Sequence, residues 1–443
     1  MSSNLLPGQR LKQFVSNWHR LSPSRTVMNL VRKGYKMSFD KKPKLSKPLP
    51  KFETRLPEQQ MNIVRKEVAT FLEKKAIRVV PLEEANTDLG FYSKIFCVPK
   101  PGKDKWRMII DMRRLNKCIK KKKFRMQGIK DVRSALKPHM YGAVIDISDA
   151  YYHVPIRKGA RKYTRFIVDG IVYEFLGLPM GLCCSPRIFT CVSKFASNYL
   201  RKQGVIIIIY IDDLLILGNS YKECKKHVAK VLNMLRRLGF IINESKCVLE
   251  PLKKFTYLGC VWDTEAWTVG LKEQRVHNIR SLALQLIQSH HVKVRDVAKF
   301  LGRTQSVAGI VPLARLRSRS VLYEFSQMAK TPADYNKYYE MSQQAREQLS
   351  LWTELDLDCC SPISVLNREV VSVDTDASDT GYGWLWQHNL FSEKFQAECL
   401  GLHINTKELW ALLQFIRKEK HQLKDTLLSW RCDNNSALAA IKK

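Results

Sequence analysis

The chain of 443 residues carries 75 Lys and Arg against 41 Asp and Glu, a formal charge of +34 with a pI near 9.8. So large a basic excess points to a polyanionic partner, nucleic acid or an acidic membrane surface, and the length predicts roughly three domains. A membrane span is not expected, because no apolar run reaches the roughly 18 residues such a helix needs.

The amino terminus, MSSNLLPGQRLKQF, lacks the apolar segment of a secretory signal. The 12 cysteines show no C-x-x-C spacing, so neither a zinc site nor a disulfide framework is legible. A reduced intracellular protein is expected, in the cytoplasm or the nucleus. Residues 1–55 are basic and end in DKKPKLSKPLPKF, whose prolines predict an extended path. A helix is predicted over 57–75 from the spacing of Met61, Val64, Val68, Phe71 and Leu72. Strands follow at 93–99 and 106–111, joined by the turn sequence PKPGKDK. The densest basic block, KCIKKKKFR at 117–125, reads either as a solvated loop or as a localisation signal. The most β-rich runs are 143–147 and 205–217; a helix is predicted at 221–238 and a strand pair within 255–268. From Gly270 to about Tyr339 the apolar spacing is helical. A last unit opens near Arg368 with EVVSVDTDAS and contains the helix INTKELWALLQFIRKEK. A mixed α/β region, then helices, then a second α/β unit predicts at least two domains, α/β (α+β) in class, with a helical connector.

One stretch poses a chemical question. VIIIIYIDDLLILG sets Asp212 and Asp213 inside a β-branched apolar run, where unpaired carboxylates are costly to desolvate. Read as a hairpin, VIIIIY and LLILG are the strands and the aspartates lie at or near the turn. Asp-Asp is a poorer hairpin turn than Asn-Gly, since both central positions favour positive φ, so the pair asks for another reason. A second apolar strand, in YGAVIDISDAYYHVPI, delivers Asp146. Strand ends carrying Asp146 and Asp212 would suit two Mg²⁺ ions about 4 Å apart, the arrangement for in-line phosphoryl transfer. Lys100, Lys103 and Arg107 in VPKPGKDKWRMIIDMRRLN suit triphosphate oxygens. LGLPMGLCCSPRIF is a small-residue loop that lets backbone approach a base pair. Taken singly, these two segments are a basic loop and a tight turn. Asp149 reads as a surface or helix-start carboxylate and His153 as structural. Only one of Tyr151 and Tyr152 can face the site, because neighbouring strand residues point oppositely.

The ordered series KWRMIIDMRRLN, VIDISDAYYHVPI, LPMGLCCSPRIFT, YIDDLLILG and FTYLGCVWD, over about 90–265, resembles the motif series of retroelement reverse transcriptases. The resemblance implies a right-hand polymerase. Its parts would be a basic N-terminal extension at 1–55, fingers at 56–140, a palm at 141–269 with part of the fingers inserted around 157–178, a thumb at 270–330 and a connection at 331–367. It implies catalysis by Asp146, Asp212 and Asp213 as ligands of a two-metal Mg²⁺ site, with Mn²⁺ as a substitute. It further implies triphosphate binding by Lys100 and Arg107, and a Tyr151 that packs beneath the incoming sugar and excludes a 2′-hydroxyl. Gly181 would face the template, and Tyr257-Leu258-Gly259 would grip the primer. Met180 replaces the glutamine of retroviral enzymes. The implied partners are dNTPs and a primer–template duplex, RNA–DNA or DNA.

EVVSVDTDASDTGYGWLW sets Asp374 and Asp376 on one face of a strand. Glu408 opens a helix with the stripe Leu409, Leu412, Leu413, Ile416, where Asn405-x-x-Glu408 also reads as a capping box. Asp433 follows LLSWRC and precedes NNSALAAI, where a helix N-terminus itself favours a carboxylate. Together the three resemble ribonuclease H over 368–443. That implies Asp376, Glu408 and Asp433 as Mg²⁺ ligands for cleaving RNA in RNA–DNA hybrids, with Asp374 the lesser ligand. The family's later helix, fourth acidic residue and histidine do not occur before Lys443, so the resemblance implies a partial domain. GQRLKQFVSNWHRL, VAKFLGRTQSVAGIVPLARLRSRS and HINTKELWALLQFI are most similar to DIRS-type, tyrosine-recombinase retrotransposons. The implied function is RNA- and DNA-directed DNA synthesis with an attached ribonuclease H-like activity. A nucleic-acid-binding scaffold without activity is the rival reading, opposed by the cost of its clustered carboxylates. RNA synthesis is opposed by the bulk of Tyr151.

Overall fold

The apolar runs around Asp146 and Asp213 become the inner strands of a four-stranded antiparallel sheet, ordered Ile206–Tyr210, Asp213–Gly218, Tyr141–Asp146, Val248–Leu252. Successive strand residues face opposite sides, and here both sides are covered. Ala143, Ile145, Ile207, Ile209, Leu214 and Ile216 enter one core, while Val144, Ile208, Leu215 and Leu217 enter another. This explains why the runs are continuously apolar rather than alternating. The computed structural model describes residues 6–99, 106–356, 358–363, 369–424 and 426–442. It divides into two units, Met1–Ile363 and Ser364–Lys443.

Helices Ser185–Lys202 and Tyr221–Arg237 cover the first face of the sheet through Phe189, Val192, Val228 and Val231. The residues preceding the first predicted helix are part of this core. Trp18 is buried and donates its indole N–H to the Leu238 carbonyl at 2.9 Å, and the Gln9 amide donates to the Tyr152 carbonyl at 2.8 Å. The helix Glu58–Glu73 forms where apolar spacing predicted it. Beside it lie a three-stranded sheet, Ile77–Val80, Ile171–Phe175 and Phe166–Val168, and the hairpin Ile95–Pro99 with Trp106–Ile110.

That three-stranded region holds a buried ion pair. Arg165, fully buried, meets Glu174, 2% exposed, at 3.1 Å, and Arg78 reaches Glu174 at 2.7 Å. Removing one member of a buried pair strands the other's charge. Arg165→Met is expected to lower stability by about 3–5 kcal/mol, read as a fall in urea midpoint; an unchanged midpoint would refute a structural role for the pair.

The second face carries the hairpin Lys254–Tyr257 and Cys260–Asp263, the strand Thr268–Leu271, and the helices Glu273–Gln288, Val294–Val307 and Arg319–Met328. Two elements of this layer had no clear signature in sequence. Helix Gln343–Thr353 packs through Ala345, Leu349 and Trp352, and the edge strand Cys360–Pro362 extends the hairpin sheet. Among the described residues, no helix is long and apolar enough to cross a membrane.

The second unit is a four-stranded sheet ordered Asn389–Lys394, Gly381–Trp386, Val370–Ala377, Leu427–Arg431. The last strand runs parallel to Val370–Ala377. Helix Ile404–Glu419 makes the crossover that a parallel pair requires. Its buried face is Glu408, Ala411, Leu412 and Phe415, whereas Leu413 and Ile416 are exposed. The predicted stripe is thus displaced, because Glu408 occupies an inward position that an apolar pattern cannot reveal.

Candidate active site

The aspartates lie at and beside the hairpin turn, as the hairpin reading expected. Tyr210 pairs with Asp213, so Ile211-Asp212 is the two-residue loop and Asp213 opens the second strand. Ile211 has φ +56°. The first position of such a loop with positive φ is usually glycine's, and a β-branched residue there carries strain of order 1–3 kcal/mol. The surroundings hold it. The Ile147 amide donates to the Asp212 carbonyl at 2.9 Å, and the Tyr257 hydroxyl donates to the Asp213 carbonyl at 3.0 Å.

Asp146 and Asp213 are direct cross-strand partners and therefore share a face of the sheet. Like charges so placed repel. Asp146 is only 7% exposed, and its nearest cation is the exposed Lys246 at 4.0 Å. Burial, then the Asp212 and Asp146 carboxylates, push the Asp213 acid up to about 6. Asp212 is raised too, by burial first and then by Asp146. The three carboxylates thus form a hard, oxygen-only donor set with too little positive charge nearby, chemistry that suits Mg²⁺.

Tyr151 stands beside this set, half-buried, edge-on to Phe189 at 5.9 Å. Burial, with the Asp212 and Tyr210 charges, raises its phenol to about 12. Tyr152 is turned into the core between Phe71 and Phe175. Asp149 adopts φ +48° and pairs with Lys74 at 2.9 Å. His153 is fully buried. Its Nε2 accepts from the Ile241 amide at 3.1 Å, so Nδ1 carries the hydrogen toward the Ala150 carbonyl at 3.2 Å, and burial lowers its pKa to about 4. A neutral structural imidazole results.

Gly181 lies at φ +87°, a conformation that side chains resist. Its loop is clamped by Asn116, whose amide donates to the Gly181 carbonyl at 2.8 Å while its Oδ1 accepts from the Cys183 amide at 2.9 Å. Met180 beside it is 59% exposed. Tyr257 is 2% exposed, and its hydroxyl donates to the Asp213 carbonyl of the aspartate hairpin, so it positions the hairpin from beneath. Leu258 and Gly259, both at positive φ, make the tight turn between Tyr257 and Cys260. Arg107 is exposed, opposite Val98 in its hairpin. Lys100 and Lys103 lie outside the described residues. Sequence reading missed Asn116 and also Gln127, whose Oε1 accepts from the Ile209 amide at 3.0 Å and from Arg201 at 2.8 Å.

In the second unit Glu408 is 2% exposed and is no capping residue. The helix is capped by His403, whose side chain accepts from the Asn405 amide. Asn434 caps the last helix, accepting from the Ser436 and Ala437 amides, so Asp433 is not spent there. Burial, reinforced by Asp376 and Asp433, raises the Glu408 acid, opposed by a bond from the Cys432 thiol at 3.5 Å. Among the described residues, Glu408, Cys432 and Asp433 are the one trio of potential ligands whose donor atoms all lie within 4.8 Å of one another. Asp146, Asp212 and Asp213 do not form such a trio. Asp374 is engaged by Arg431 at 2.8 Å, while Asp376 is exposed.

An antiparallel sheet with opposed aspartates at its hairpin end, helices on one face and a strand-and-helix layer on the other, defines the first unit as a right-hand polymerase fold of the reverse transcriptase kind. Comparison with known proteins agrees. Residues 98–262 match the family model described as Reverse transcriptase (RNA-dependent DNA polymerase). Among solved structures, the chain is similar to the foamy viral protease-reverse transcriptase in complex with an RNA/DNA hybrid, with TM-score 0.59 and 19% identity over 90% of this chain and 51% of that one. It is also similar to two structures of that foamy viral protein with double-stranded DNA. One has TM-score 0.61 and 18% identity over 91% of this chain and 67% of that one; the other has 0.59 and 18% over 98% and 91%. The likeness is one of fold, and the chain spans about half of the first of these proteins.

Proposed function

We propose that the chain is an RNA- and DNA-directed DNA polymerase that joins dNTPs to a primer 3′ end on Asp146, Asp212 and Asp213. The observation that carries this reading is the cross-strand pair Asp146–Asp213, two carboxylates opposed on a buried sheet without adequate countercharge. Such a pair is destabilising unless something cationic offsets it. Mg²⁺ held by these three residues would supply charge stabilisation to the attacking and leaving oxygens. The chain's own residues do the rest. Tyr257 and the strained Ile211 turn fix the hairpin, the Asn116 clamp sets the Gly181 backbone toward the templating base pair, and Arg107, with Lys100, binds the triphosphate. Tyr151 fills the space that a 2′-hydroxyl would need.

The test is extension of a primer by the purified chain on matched RNA and DNA templates. Extension on both, lost in Asp212→Asn, supports the assignment; duplex binding without extension on either would refute it. Mg²⁺ must also compete with protons at Asp213. Since that group's pKa is raised above its ordinary value, its protonated form prevails as pH falls through about 6. The thermal stabilisation given by Mg²⁺ is therefore expected to be full above pH 7 and to fade as pH drops through about 6. A stabilisation constant across that window would remove Asp213 from the ligand set.

For the second unit we propose ribonuclease H-like cleavage of RNA in hybrids, with Asp376, Glu408 and Asp433 holding Mg²⁺. The support is the buried Glu408 raised by two neighbouring carboxylates. The flanking stretches further favour an origin in a DIRS-type retrotransposon.

A further inference from the structure

The strand Ile206–Tyr210, which leads into the aspartate hairpin, is an edge of its four-stranded sheet and pairs on one side only, with Asp213–Gly218. In an antiparallel pair, successive residues turn their backbone groups alternately toward and away from the partner strand. Tyr210 faces its partner across the two-residue loop, so Ile209 and Ile207 face the open edge. These two are buried, 8% and 2% exposed, and an unpaired N–H or C=O there would be costly.

Two side chains stand in for the missing strand. Gln127 Oε1 accepts from the Ile209 amide at 3.0 Å, and Arg201 donates to the Ile207 carbonyl through Nε at 3.1 Å and Nη2 at 2.7 Å. Nη2 also donates to Gln127 Oε1 at 2.8 Å, which joins the pair into one clamp. Both ends of the clamp are anchored. Arg201 lies in the last turn of helix Ser185–Lys202, and its Nη1 donates to Ser197 and Asn198 at 3.3 and 2.8 Å. Gln127 precedes Gly128, the cap of helix Ile129–Ala135, whose amide donates to the Asp131 carboxylate at 2.8 Å. Among the described residues Arg201 has no carboxylate partner, so its planar fork of donors is spent on neutral oxygens and on geometry. Asp213–Gly218 is fixed by strands on both sides, whereas Ile206–Tyr210 depends on this clamp along its free side. Asp212 stands three residues past Ile209, across the strained Ile211 turn.

We infer that Gln127 and Arg201 are positioning residues that hold the edge strand so that Asp212 is placed for metal binding. The inference rests on the polymerase reading for the role of Asp212, and its main readout is metal binding rather than catalysis. Mg²⁺ would be titrated against the full chain, and the concentration giving half of the rise in melting temperature compared between variants. Every variant would carry Glu408→Gln, so that the second unit's proposed ligands do not report. Gln127→Leu keeps the bulk but strips the Ile209 amide and an Arg201 donor of their acceptor. It should raise the Mg²⁺ midpoint roughly tenfold, the scale on which residues that orient a metal ligand act. Gln127→Glu keeps an acceptor oxygen and should restore the midpoint. Arg201→Lys, which lacks the fork, should raise it too, and gives the same reading if Gln127→Leu does not fold. A lower melting temperature without metal, joined to an unchanged Mg²⁺ midpoint, would make the clamp merely structural and overturn the inference. Failure of Gln127→Glu to restore the midpoint, or a parent chain that Mg²⁺ does not stabilise, would overturn it as well. Primer extension run in parallel separates the two readings. A shifted midpoint in Gln127→Leu with no extension by the parent would sink the polymerase alone, and extension with an unshifted midpoint would sink the clamp alone.

Discussion

Asp213→Asn is expected to lower the rate of primer extension by roughly 10³-fold, equivalent to about 4 kcal/mol of lost transition-state stabilisation. The substitution keeps the size of the side chain and its place opposite Asp146. It removes one hard donor charge from a site whose proposed work is charge stabilisation. The same change should raise stability in the absence of metal. A carboxyl whose folded pKa is lifted to about 6 is most favourable to the fold at low pH and becomes unfavourable as pH rises from the unfolded value through 6. At neutral pH the wild type thus bears a repulsion that asparagine lacks. Activity falling while melting temperature climbs is a combination that simple misfolding cannot produce. A rate within tenfold of wild type would sink the assignment of Asp213.

The second large effect concerns the sugar. Tyr151→Ala should raise incorporation of ribonucleotides relative to deoxyribonucleotides by about 10²-fold, the scale on which a pocket separates ligands differing by one hydroxyl. Tyr151 packs edge-on to Phe189 next to Asp212, so its ring is held in place by packing. Tyr151→Phe should keep discrimination, because bulk rather than the phenol hydroxyl does the excluding. If the alanine variant kept the wild-type preference, another group would set it.

Sequence reading went furthest where chemistry conflicted with context. Asp146, Asp212 and Asp213 stood out as carboxylates in apolar strands, and the structure places two of them face to face. The turn position was harder, since Asp-Asp fits a hairpin one residue either way, and only the register of Tyr210 with Asp213 decides it. Glu408 was misleading because a residue three after Asn405 satisfies a capping box by spacing alone, whereas His403 makes the cap. Asn116 and Gln127 were beyond reach. Each is a single polar residue whose partners lie 65 and 82 positions away, Gly181 and Ile209, and no local pattern announces such a bond. Tyr257 shows a subtler limit: its motif was legible, but its burial under the hairpin, and hence its positioning role, depends on which layer covers the sheet.

The tie between Trp18 and Leu238 spans 220 positions of sequence. On a translating ribosome, adding residues at about 5–20 per second, the tryptophan would be made roughly 10–40 s before its partner. The first helices therefore cannot reach their final packing as they emerge, and the nascent chain carries an exposed apolar edge through much of its synthesis. Such an interval is when chaperones bind, and it predicts that recovery of folded protein depends more on the pace of elongation than on the stability finally reached.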